Sequence, residues 1–297
     1  MTAAHPLLIT GGSGQVGGAV AALASRSGVA VVAPGRTECD LTDRAALRAF
    51  VDRGPWRAIV NCAAYTTVDR AESEAGLAHA INAEAPGILA ELAAARDIPI
   101  VHVSTDYVFD GTKDAPYLES DPIAPLGVYG STKAAGEAAV RQAAPGSHAI
   151  VRTAWVLSAG GANFLNTMLR LGEERDLVRV VADQHGSPTN AADLAEVLLA
   201  IVDREAATGE TWHAVNGGDA SWYDLARHIF DRSAAAGRKT PRLEPITTQD
   251  YPTPAQRPAN SRLATEKLRA GLGLTLRPWR DAVDAILDER LNSGEHR

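Results

Sequence analysis

The run Leu7-Leu8-Ile9-Thr10 leads directly into Gly11-Gly12-Ser13-Gly14-Gln15-Val16-Gly17-Gly18, and an Ala-rich amphipathic stretch follows. Few folds accept that order. An apolar run, a glycine-rich turn and a helix read as the opening of a dinucleotide-binding βαβ unit. In such a unit Gly11 makes the tight turn, Gly14 lets the main chain approach a pyrophosphate, and Gly17 lets the helix pack closely on the strand. Gln15 and Val16 then open a helix whose free amides and positive dipole end suit a pyrophosphate.

The alternation continues along the first half of the chain. Residues 29–33 (VAVVA), 58–61 (AIVN), 98–104 (IPIVHVS) and 148–153 (HAIVRT) read as strands buried on both faces. Helical periodicity fills the gaps at 16–26, 44–53, 75–96 and 131–144. This predicts an α/β fold with a doubly wound parallel sheet over residues 1–152. Beyond that point the pattern loosens into the helices NFLNTMLRLGEER and WYDLARHIFDRSAAAG and a Pro-rich passage at 241–258. A smaller C-terminal domain over 153–297 is expected. The segment SPTNAADLAEVLLAIVDR, with Thr189 or Asn190 as helix N-cap, is expected to return residues 186–206 to the first domain.

Composition narrows the classes. With 297 residues, 45% of them hydrophobic and 22% charged, the chain can bury one large core or two unequal ones. The net charge of -7, with both signs interspersed, argues against a nucleic-acid surface. Cys39 and Cys62 are far apart and lack partners at metal-ligand spacing, so neither a disulfide nor a metal site is expected. The amino terminus lacks a basic region, and its apolar stretch is too short for a signal peptide or a membrane span, so a cytoplasmic protein without membrane contact is expected.

Two local patterns point to chemistry. The second strand ends in Ala33-Pro34-Gly35-Arg36, where an NAD-selective site usually carries an acid. Arg36 can pair with a 2'-phosphate through two hydrogen bonds, so NADPH is the expected cofactor and NADH the weaker one. In VYGSTK, Tyr129 and Lys133 lie four apart at the start of a helix and share one face. A neighbouring ammonium stabilises a phenolate and brings its ordinary pKa of about 10 towards working pH, which suits general acid catalysis.

The segments TGGSGQVG, VNCAAYTTVDRAE, INAEAP, STDYVFDG, VYGSTKAAGE, RTAWVL, NFLNTMLRL, DQHGSPT and YPTPAQRPANSRL follow one another along the chain. Together they resemble the extended short-chain dehydrogenases and, within them, the dTDP-4-dehydrorhamnose reductases. The resemblance implies that Thr105 polarises the substrate carbonyl beside Tyr129 and that Lys133 also holds the nicotinamide ribose. It further implies that Asn61, Ala63, Ala64 and Tyr65 line the cofactor cleft and that Asp40 and Leu41 meet the adenine. Asp106, Tyr107, Trp155, Asn163, Phe164, Arg257 and Asn260 match the family's sugar-nucleotide side, with Arg257 suited to a diphosphate.

The implied reaction is NADPH-dependent reduction of the C4 ketone of a dTDP-4-keto-6-deoxyhexose, either towards L-rhamnose or towards a related deoxysugar. Sugar 4,6-dehydratases carry an Asp-Glu pair after the threonine; here Asp106 is followed by Tyr107, which favours simple reduction. Two rivals remain. A regulatory NADP-binding subunit, like the beta subunit of methionine adenosyltransferase, would copurify with a partner and turn over no keto sugar. A sugar-nucleotide epimerase would retain its cofactor without net consumption. Some family members join a dimer through magnesium on glutamates, where this chain aligns Ala19 and Ala192. A homodimer, if formed, is therefore expected without a metal bridge.

Overall fold

The computed structural model describes residues 5–292. Residues 1–4, on which part of the reading of the amino terminus rests, and 293–297 lie outside the described residues. The apolar runs assemble into one sheet. Its strands are β1 (Leu7–Thr10), β2 (Val31–Val32), β3 (Ala58–Asn61), β4 (Ile100–Thr105), β5 (His148–Thr153) and β6 (Glu210–His213). They stand in the order β6-β5-β4-β3-β1-β2, and every neighbouring pair is parallel. From β1 the chain winds one way to β2 and the other way to β3, so a crevice opens beyond the carboxyl ends of β1 and β3.

The longer helices are α1 (Gln15–Arg26), α2 (Arg44–Val51), α3 (Ala85–Ala94), α4 (Val128–Ala143), α5 (Phe164–Glu174), α6 (Ala191–Asp203), α7 (Trp222–Ala235) and α8 (Trp279–Asn292). The strand pleat sorts them into layers. Leu7, Ile9, Ala58 and Val60 face Val20 and Ala24 of α1 and Leu194 and Leu198 of α6. Their neighbours Leu8 and Ile59, with Ile100 and Ile150, face Leu47 and Phe50 of α2, Leu89 of α3 and Val140 of α4. Each Leu, Ile, Val or Phe side chain so buried contributes about 1.5–3 kcal/mol. A separate apolar cluster joins Leu165 and Met168 of α5, Leu225 and Ile229 of α7, and Trp279 and Val283 of α8.

Two expectations need correction. The strand expected at 29–33 is only two residues long and half-exposed, because it is the sheet edge and pairs with β1 alone. The helix expected over 75–96 runs as Ala75–His79, a π turn at Ala80–Glu84, and then α3. The sixth strand, β6, comes from a stretch without a clear period-2 pattern. Of the two candidate caps for α6, Asn190 is the one in place, accepting from the Ala192 amide at 2.8 Å. Among the described residues, no helix is long and apolar enough to cross a membrane.

Candidate active site

A cleft of about 750 Å³ lies at the carboxyl ends of the central strands, between the sheet and the α5–α7 cluster. Its floor is the glycine turn. Gly11 has φ +74°, and a Cβ there would lie 2.7 Å from the Ala63 backbone, so the loops after β1 and β3 touch. A Cβ on Gly17 would lie 2.2 Å from the Gly11 carbonyl oxygen. Gly14, the N-cap of α1, brings no side-chain acceptor, and Gly14, Gln15 and Val16 line the cleft. An uncapped helix start in a cleft leaves amide donors for an anionic ligand. A pyrophosphate fits this cradle.

At the far end Arg36, Asp40 and Leu41 line the cleft. Arg36 is 74% exposed and lies 3.7 Å from Asp40. The Thr42 amide and hydroxyl, helped by Arg36, hold the Asp40 carboxyl below the usual range. Ala63 and Ala64 also line the cleft, whereas Asn61 and Tyr65 do not. Asn61 is buried behind the wall, where its side chain accepts from Thr10 Oγ1 at 2.6 Å and donates to His102 Nδ1 at 2.9 Å. Tyr65 donates its hydroxyl to Glu74 at 2.5 Å, and its backbone amide and carbonyl are both bonded by Asn82 from the π turn.

Thr105, Tyr129 and Lys133 all line the same cleft. Tyr129 is buried, with the Tyr107 ring edge-on at 5.4 Å. Burial pushes its phenol up to about 12, while the Thr105 hydroxyl acts in the opposite direction. The expected pairing of phenol and ammonium is not formed: Lys133 Nζ reaches down to β4, donating to the Val103 carbonyl at 2.7 Å and lying 3.4 Å from His102 Nε2. Burial also brings the Lys133 ammonium down to about 8. Thr105 Oγ1 donates to Asp106 Oδ1 at 2.9 Å. Asp106 is itself buried, and desolvation raises its carboxyl to about 6 against the opposing pull of Ser261 and Thr105.

Asp106 and Tyr107, beside Thr105, and Trp155, Asn163 and Phe164 also line the cleft. Trp155 has φ +47°, a left-handed backbone that costs a non-glycine residue on the order of 1 kcal/mol or more. Its indole stacks on Trp222 at 3.5 Å and 8°, and Phe164 tilts against Trp222 at 4.7 Å. Gly186 leaves room for the same indole, since a Cβ there would lie 2.4 Å from the ring. Asn163 is the N-cap of α5 and also donates to Gln15 Oε1 at 2.9 Å, which ties α5 to the start of α1.

Arg257 and Asn260 do not line the cleft. Arg257 forms a two-pronged pair with Asp69 at 3.1 and 2.8 Å. Asn260 spends its amide on the Lys113 and Ala115 carbonyls and accepts from Arg262, so it braces the 113–115 loop. Sequence reasoning missed Trp222, which lines the cleft, and the buried residues Asn82 and His102 behind it. His102 left a trace, a lone polar residue in an apolar strand, whereas Asn82 lies between His79 and Glu84 and left none. Among the described residues, no group of three or more His, Cys, Asp or Glu could hold a metal ion.

Known proteins share this architecture. The family model described as the RmlD substrate binding domain matches residues 5–292. A dTDP-4-dehydrorhamnose reductase of Mycolicibacterium smegmatis is 45% identical over 287 residues, covering 95% of this chain and 85% of the relative. The crystal structure of a dTDP-4-dehydrorhamnose reductase from Clostridium acetobutylicum has a TM-score of 0.90 and 37% identity, covering 95% of this chain and 98% of that one. The same enzyme from Bacillus anthracis, in complex with NADP, has a TM-score of 0.90 and 33% identity, with 96% and 99% covered.

Proposed function

The chain belongs to the RmlD substrate binding domain family, that of the dTDP-4-dehydrorhamnose reductases, and from this premise we propose that it uses NADPH to reduce the C4 ketone of a dTDP-4-keto-6-deoxyhexose. The observation that carries this reading is the meeting of Thr105 and Tyr129 with an uncapped helix start in one cleft. Bound there, NADPH would supply the hydride. The amides of Gly14, Gln15 and Val16 would hold its pyrophosphate, Ala63 and Ala64 would flank it, and Arg36 would meet its 2'-phosphate beside Asp40 and Leu41.

The protein's own part is to orient and to move a proton. Tyr129 directs its hydroxyl at the carbonyl oxygen and gives its proton as charge grows there, and Thr105 joins it once its hydroxyl turns from Asp106 to the same oxygen. A phenol raised to about 12 is fully protonated at neutral pH, which is the form a reduction needs. Lys133, anchored on the Val103 carbonyl, would hold the nicotinamide ribose. Asp106, Tyr107, Trp155, Asn163 and Phe164 face the sugar nucleotide. Arg257 and Asn260 act from behind, through Asp69 and the 113–115 loop.

On this reading residues 1–152 with 186–206 form the cofactor domain, and the rest of 153–297 mainly carries the substrate. The protein works in the cytoplasm on a small molecule, binds no nucleic acid, and makes any homodimer contact without a metal bridge. Intact Thr105, Tyr129 and Lys133 favour an enzyme over a regulatory subunit. Tyr129→Phe tests the assignment: turnover should be lost with NADPH affinity nearly intact, because only the proton donor is removed. Retention of more than about a tenth of wild-type kcat would refute it.

A further inference from the structure

His102 sits in β4 with its side chain fully buried, in a strand otherwise built of apolar and small residues. Its ring lies between two partners. Asn61 Nδ2 stands 2.9 Å from Nδ1, and Lys133 Nζ stands 3.4 Å from Nε2. The direction of the first contact is fixed further back, because the Ala63 amide donates to Asn61 Oδ1 at 3.2 Å and Thr10 Oγ1 donates to it at 2.6 Å. Turning the Asn61 amide over would set its NH2 against the Ala63 N–H and leave a buried donor without an acceptor. Asn61 therefore donates to Nδ1, and the neutral ring carries its hydrogen on Nε2, aimed at Lys133.

An amine at Lys133 can accept from that N–H, whereas an ammonium meets it as donor against donor. We propose that His102, locked by Thr10, Asn61 and the Ala63 amide, is the positioning residue for Lys133, presenting a fixed N–H that favours the uncharged amine. Other groups around Lys133 act differently. Glu137, from its own helix, favours the ammonium, and Cys62, after β3, has a thiol that burial holds near 12 and hence neutral. Arg141 on α4 and His148 on β5 act on His102, adding to burial and Lys133 in keeping the ring uncharged. With the Tyr129 phenol near 12 and Lys133 near 8, rising pH takes its first proton from the lysine.

This inference rests on the reductase reading for its kinetic arm only. Histidine 15N NMR on the full chain, with and without NADP+, reads the ring directly. His102 should be the neutral Nε2–H tautomer from pH 6 to 8, and an Nδ1–H tautomer or an imidazolium would overturn the proposal. Its resonance is assigned by loss in His102→Gln, or by a tautomer flip in Asn61→Asp should the first variant not fold. In kinetics, His102→Gln replaces the fixed N–H with an amide that can turn its oxygen to Lys133. The alkaline limb of kcat for NADPH-dependent reduction should then move up by about half a pH unit, a threefold gain in proton affinity. A fall in kcat with an unmoved limb would reduce His102 to a packing residue. If no 4-keto sugar is turned over, the functional reading falls, while the NMR result still decides the tautomer.

Discussion

Asp106 shows how single residues in the cleft trade stability for placement. Its carboxyl is raised to about 6 by burial, from an ordinary value of 3.8. The penalty on the ionised form is thus absent below 3.8, grows between 3.8 and about 6, and is complete above that. Asp106→Asn should stabilise the fold by about 1–3 kcal/mol at pH 8 and lose that advantage near pH 4, read by denaturant unfolding at the two values. An equal difference at both pH values would contradict the burial argument. Arg36 is the opposite case, exposed and already near Asp40, so its contact with a 2'-phosphate is partly screened. Arg36→Ala should reduce the NADPH over NADH preference by about tenfold, measured as the ratio of the two kcat/KM values. The glycines and Tyr129 were legible in the sequence because local spacing dictates their geometry. The direction taken by Lys133 was not, because it depends on His102 and Val103 from a strand 30 residues away.

At the level of elements, α4 matters most, since it carries both Tyr129 and Lys133. It is fastened to β5 by a buried ion pair, in which Arg152 donates through Nε and Nη2 to the two oxygens of Glu137, each at 2.8 Å. Desolvation would raise the Glu137 carboxyl, but Arg152 and further partners outweigh it and leave it lowered. Glu137→Gln leaves the Arg152 charge buried without an anion and should cost about 3–5 kcal/mol. That difference should hold above pH 4.5, the ordinary carboxyl value, and close on acidification below it. A loss under about 1 kcal/mol by urea unfolding would show that packing alone holds the helix. Helices with strong apolar periodicity, such as α1 and α6, were legible. The π turn at Ala80–Glu84 was not, since it answers to tertiary packing: a Cβ on Gly136 of α4 would lie 2.0 Å from the Asn82 carbonyl oxygen.

Across the whole molecule, the cleft lies where two hydrophobic clusters meet, and Gln15 Oε1 accepts from both Ser158 and Asn163 across the join. The doubly wound sheet was legible from alternating runs. The aromatic wall of Trp155, Trp222 and Phe164 was only half legible, because Trp222 arrives from a segment 67 residues after Trp155. The account stands on transfer of hydrogen from NADPH to C4 of the sugar nucleotide, with Tyr129 supplying the proton. NADPH deuterated at the transferable position, incubated with a dTDP-4-keto-6-deoxyhexose and followed by NMR of the product, measures that transfer. The account predicts deuterium at C4 of the hexose, with one cofactor oxidised per sugar reduced. An epimerised sugar without label at C4 and without NADPH consumption, or no conversion at all, would contradict it.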